Sequence, residues 1–162
     1  MCALQTGAPI GNSGARASEF PVLRITNRHV SAQVCLPDTE CGYYRSTRFD
    51  WSGIVRDLRS RGHRYVSEWQ SRHDPLRHDG LTGPADEFTQ IGYEEARPGQ
   101  EFLKIGVGTL RKPSDQPYDR FRLYEIVDPG IRDLITGRDR VEFRHRMLHD
   151  DYGYDYREAL VL

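Results

Sequence analysis

The chain lacks any run approaching the roughly 20 apolar residues of a membrane-spanning helix, so no membrane partner is expected. It lacks a basic excess as well. Twenty-three Lys and Arg stand against 24 Asp and Glu, a formal net charge of -1, which argues against a nucleic-acid partner. Cysteine is scarce, at three residues, and the CxxC spacing of a zinc site is missing, so neither a disulfide framework nor a structural metal is expected. Cys35 and Cys41 flank Leu36–Glu40 and would close a loop in an oxidising compartment; two unpaired thiols are the expectation. Met1 to Ser18 is rich in Gly, Ala and Ser and has no apolar core of the signal-peptide kind, which favours a cytoplasmic location. Residues 1–20 therefore read as a flexible leader and 21–162 as the folded part. No repeat or heptad is present, and no helix follows Gly106-Val107-Gly108 to present its N-terminus to a phosphate.

Apolar residues make up 37% of the sequence and mean hydropathy is -0.71. Nine Tyr, six Phe and two Trp nonetheless supply large apolar bodies, which a disordered chain would not have. Their spacing is that of strands. Val30, Ala32 and Val34 share one face while Ser31 and Gln33 share the other, and Val22–Thr26 precedes them across an Asn27-Arg28 turn. Gly53–Arg59 and His63–Val66 form a second hairpin around Ser60-Arg61-Gly62. Further strands are expected at Phe102–Leu110, where two glycines suggest a bulge or close backbone approach, and at Phe121–Val127, Val141–Met147 and Tyr154–Leu162. Turn clusters at Lys112–Asp115, Asp128–Gly130 and Gly137–Asp139 separate them. The fold class is all-β: an antiparallel β-sandwich. Because the sequence closes on Ala159-Leu160-Val161-Leu162 in mid-strand, an incomplete domain is expected, with a free sheet edge open to self-association.

Chemistry concentrates in the long excursion Ser71–Pro98. Its segment Leu76–Phe88 brings His78, Asp79, Asp86, Glu87 and an aromatic ring onto one glycine-bearing loop, the mix of polar groups and flat apolar surface that a sugar site needs. A surface loop with turn-capping Asp and His accounts for the same residues. Arg56, Arg59, Arg61 and Arg64 cluster around one turn; they read as a solvated hairpin tip, with an RNA contact as the alternative. His145 and His149 would lie on one side of a strand about 13 Å apart, too far for a metal pair. His73-Asp74 and His78-Asp79 are followed by Pro75 and Gly80, which is turn chemistry. Trp51 and Trp69 read as core or rim packing.

The run Leu76-Arg77-His78-Asp79-Gly80, with Gly83-Pro84 and Phe88 after it, resembles the histidine-glycine segment of galactose mutarotase-like proteins, the aldose 1-epimerase superfamily. Gly42–Arg45 through Arg48–Val55, and the hairpin reaching His63, resemble that superfamily's early strands. Asp150–Arg157 resembles the strand entry that precedes its second catalytic histidine. The resemblance implies a large antiparallel β-sandwich that binds a free sugar in an open cleft. There a histidine acts as general acid on the ring oxygen and a glutamate as base on the anomeric hydroxyl, without a cofactor. His78 falls on the first histidine, as the catalytic residue. Arg48 is the candidate substrate-positioning arginine, and Asp79, Asp86 and Glu87 are the neighbouring substrate-binding carboxylates. The second histidine and the base glutamate belong to strands of the family that lie beyond Leu162. A sugar or sugar derivative is the expected ligand.

Overall fold

The computed structural model describes residues 20–149 and 152–162. Residues 1–19 of the expected leader, and Asp150 and Asp151 of the strand-entry motif, lie outside them. Eleven strands are present among the described residues, in three antiparallel sheets, and no helix. The chain is all-β.

Sheet A takes the order β1 (Val22–Thr26), β2 (Val30–Cys35), β3 (Val55–Ser60) and β4 (His63–Val66). The first turn forms because the Asn27 side-chain oxygen accepts from the backbone N–H groups of His29 and Val30, both at 2.8 Å. That register sets Ile25 opposite Ala32 and Leu23 opposite Val34. The alternation read from the sequence is the one that folds. The second hairpin turns on Arg61 and Gly62, both at positive φ (49° and 82°), the signature of a two-residue type I′ turn.

Sheet B takes the order β5 (Gln90–Ile91), β6 (Glu101–Lys104), β7 (Gly108–Arg111) and β8 (Glu125–Asp128). The single strand expected over Phe102–Leu110 is in fact two, folded back so that Lys104 pairs with Gly108. Its glycines make a turn and the close backbone approach expected as the alternative to a bulge, Gly108 lying against the main chain of Asp128 and Pro129. Gly106 has φ +80° and Gly108 φ +137°, and a Cβ on Gly106 would fall inside the Asp50 carboxyl group. The strand expected at Phe121–Val127 is shorter and begins at Glu125.

Sheet C takes the order β11 (Tyr152–Val161), β10 (Arg140–His149) and β9 (Ile131–Thr136). Strand β9 was not read from the sequence. Five of its six residues are exposed, so it carries no apolar-polar alternation to detect. Strands β9 and β11 each have a neighbour on one side only among the described residues.

Two cores hold the sheets together. Ile25, Ala32, Val34 and Val55 of sheet A pack against Val141 and Phe143 of sheet C, with Leu58, Leu160 and Leu162 at the margin. A backbone bond from Thr26 N–H to the Arg138 carbonyl ties the two sheets at one end, where Leu162 N–H also bonds Asp139 within the sheet C end. The second core joins Tyr43, Tyr44, Trp51 and Ile54 to Tyr93, Phe102, Leu110 and Tyr124 of sheet B and its loops. Cys35 sits in this core, free and buried; burial pushes its thiol up to about 12. Being free, it is not bonded to Cys41. Cys41 is itself disulfide-bonded, contrary to the expectation of two unpaired thiols.

Candidate functional site

The excursion between β4 and β5 has almost no regular structure, yet it is anchored along its length. Tyr44 donates its hydroxyl to the His78 carbonyl (2.9 Å), Arg45 N–H bonds Pro75, Asp50 N–H bonds Asp86, and Thr82 reaches Ser67 at 2.8 Å. Leu81 packs on the second core. The bonds to Tyr44, Arg45 and Asp50 hold the loop against the segment 43–54, which Thr47 in turn joins to the β7–β8 connection. The Thr47 hydroxyl donates to the Arg122 carbonyl and accepts from Tyr124 N–H, each at 3.2 Å.

That connection makes a tight turn around Asp119, whose carboxylate accepts from Phe121 N–H at 2.9 Å. The turn lifts the Phe121 ring into solvent, 58% exposed. The His78 imidazole meets Phe121 edge-on, 5.0 Å between centroids. The Arg48 guanidinium lies 5.2 Å from the same ring and 4.5 Å from Phe49. Arg48 also pairs with Glu87 at 3.1 Å, and Arg120 approaches the other Glu87 oxygen at 3.5 Å. Three of the residues proposed from the sequence, His78, Arg48 and Glu87, thus converge around one aromatic ring. Asp79 stands beside them, ion-paired to Arg77 at 2.6 Å. Burial pushes its carboxyl up, but Arg77 and His78 outweigh that and hold it below the usual carboxylate range.

Next to this ring opens a groove of about 860 Å³, bounded by Glu87, Phe88, Lys104, Tyr118, Arg120 and Phe121. Lys104 is buried and donates to the Phe88 carbonyl; burial brings its amine down to about 8, Glu87 opposing. Tyr118 stacks on Tyr124 (5.3 Å, 3° between planes), and its buried hydroxyl has no protein partner. Phe121, Tyr118, Lys104 and Arg120 escaped the sequence reading because they lie far along the chain from His78. The Thr47 bridge, the Arg120–Glu87 pair and the Lys104 bond to Phe88 bring them in. No family model, curated protein or solved structure matches the chain.

Asp86 belongs elsewhere. Its charge acts on Tyr156 and Glu158, in a second polar cluster where sheet C meets the segment 50–53. Asp50 is fully buried there, accepting from Ser52 N–H at 2.8 Å with its other oxygen unpartnered. Burial raises the Asp50 carboxyl, and burial followed by the Asp50 charge raises Glu158 to about 7. Arg132 supplies the compensating cation, 4.8 Å over the Trp51 ring and donating to the Gly106 carbonyl at 2.8 Å. Trp51 is core, as read. Trp69 is 63% exposed and donates its indole N–H to Leu81.

The strand histidines are separately engaged. His145 gives Nε2–H to the Pro129 carbonyl (2.8 Å) and accepts the Tyr154 hydroxyl at Nδ1 (3.1 Å), while His149 lies 3.6 Å from Glu101.

Proposed function

We propose that this protein binds carbohydrate in the groove beside Phe121, as a protein of the aldose 1-epimerase type on a galactose mutarotase-like β-sandwich. The observation that carries the proposal is the setting of Phe121. An exposed flat ring is flanked by an imidazole and a guanidinium and opens onto a groove with a carboxylate, an amine and a tyrosine hydroxyl without a partner. A pyranose offers a complementary surface, an apolar C–H face for the ring and hydroxyls for the polar groups.

In the catalytic form of this reading, His78 protonates the ring oxygen as the C1–O5 bond breaks, a base takes the anomeric hydroxyl proton, and both transfers reverse as the opened sugar recloses on its other face. The geometry around Glu87 favours a second reading, a non-catalytic binder. Both Glu87 oxygens are engaged by guanidinium groups, which suits holding hydroxyls in place better than abstracting a proton.

Calorimetry with a panel of hexoses and hexose derivatives tests binding, and polarimetry of freshly dissolved α-sugars tests catalysis. His78→Ala is expected to weaken binding. Unchanged affinity would remove His78 from the site, and mutarotation no faster than in buffer would leave only the binding form.

A further inference from the structure

A cluster of positive charge lies away from this groove, on an exposed face of sheet A. Two shallow depressions adjoin there and share Arg24, Ser31 and Arg59. Arg28 and Arg61 line the same surface from the two hairpin tips, and Arg64 stands opposite Arg59 in the β3–β4 register. All five arginines are exposed, and Asp57 is the one carboxylate among the lining residues. Beyond Arg28 the surface continues to Arg138 and Asp139. In a chain whose formal net charge is -1, this face carries a local excess of about four positive charges.

Asp57 does not simply neutralise the patch. It is 7% exposed and grips Arg59 at 3.0 and 3.1 Å through Nε, and Arg64 at 3.2 Å, from beneath. Each guanidinium has further N–H groups, and the two side chains remain 59% and 48% exposed. A buried carboxylate that fixes two arginines with donors facing outward is the arrangement of a prepared anion site. Arg61 adds an independent sign. It occupies a left-handed position, φ 49°, where Asn, Asp or Gly would cost less, and so projects a fifth guanidinium from the turn.

We propose that this face of sheet A binds an acidic polysaccharide through its carboxylate groups. Guanidinium forks match carboxylates two hydrogen bonds at a time. Between the arginines lie Thr26, Ser31, Gln33 and Ser60, groups that bond sugar hydroxyls. No Phe, Tyr or Trp lines either depression, so there is no platform on which bases of a single-stranded nucleic acid would stack. The site is separate from the groove beside Phe121, and either can fail without the other.

The test is calorimetry of the full chain at low salt with oligogalacturonate, an uncharged oligosaccharide of equal length, and single-stranded DNA of equal charge. Binding is expected for oligogalacturonate alone, weakening as salt rises. The double variant Arg24→Glu/Arg59→Glu should lose at least about tenfold in affinity, while Arg97→Glu, elsewhere on the surface, should lose little. Asp57→Asn separates a built site from bulk charge, with thermal unfolding used to confirm that each variant folds. It makes the patch more positive yet frees Arg59 and Arg64, so affinity should fall several-fold. Tighter binding by Asp57→Asn, equal binding of the uncharged oligosaccharide, preference for DNA, or an equal loss in Arg97→Glu would each overturn the proposal.

Discussion

The Tyr156 hydroxyl donates to the Glu158 carboxylate at 3.2 Å across one face of β11, and both lie against the buried Asp50. Two carboxyl groups share a poorly solvated space there, so the proton on Glu158 is retained to about pH 7 instead of the ordinary 4.5. A carboxyl raised in this way stabilises the fold fully below about 4.5, and that contribution is lost as pH climbs through about 7. Part of Glu158 is exposed, so the effect should be on the order of 1–2 kcal/mol. Glu158→Gln should flatten the urea-unfolding profile over this window; an unchanged slope would assign it to other groups.

His145 should titrate in the opposite sense. Burial, then the nearby Arg132 charge, bring its imidazole down to about 4 from 6.5. Its contribution is complete above pH 6.5 and disappears as pH falls through about 4. In NMR titrations the His145 ring resonances should stay fixed from pH 8 to near 5, where an ordinary surface histidine has already moved.

Phe121 separates ligand binding from folding. Being 58% exposed, it should tolerate Phe121→Ala with a stability change within about 0.5 kcal/mol. Sugar affinity should nevertheless fall by about 1 kcal/mol, roughly fivefold, as the flat ring and the surface carrying Arg48 and His78 are lost. Calorimetry beside a melting curve reads both quantities; a large drop in Tm would mark the ring as structural.

Gly106 should be among the least replaceable residues. An alanine there meets the αL penalty of roughly 1–2 kcal/mol and also drives a methyl group into the Asp50 carboxyl. Gly106→Ala is expected to cost about 3 kcal/mol or more, visible as a large shift of the denaturation midpoint. Gly62→Ala, with open space around it, should show the conformational penalty alone.

How far the sequence is legible follows from where each signal arises. The β1–β2 and β3–β4 hairpins were readable because local alternation and turn residues both point to them: Ala32 and Val34 inward, Gly62 at the tip. Strand β9 was not, since five of its six residues are exposed and it pairs with β10 through main-chain groups that every residue but proline carries in full. Gly106-Val107-Gly108 was ambiguous because a bulge and a three-residue turn use the same glycines; their difference is the tertiary position of Asp50. At the candidate site, His78 and Glu87 share one loop and could be proposed together, and Arg48 came with the family resemblance. Phe121 is joined to them through Thr47, which bonds Arg122 and Tyr124 across more than seventy residues, a link no local pattern announces.

Strand β11 also bears on how the protein must be handled. Ten residues of main chain run along its flank with a neighbouring strand on one side only among the described residues. Near pH 6.6, where the sequence carries no net charge, mutual repulsion between molecules vanishes and the local signs of Asp155 and Arg157 are left to discourage lateral growth. Concentrated stocks should therefore keep longest when buffered well away from that point.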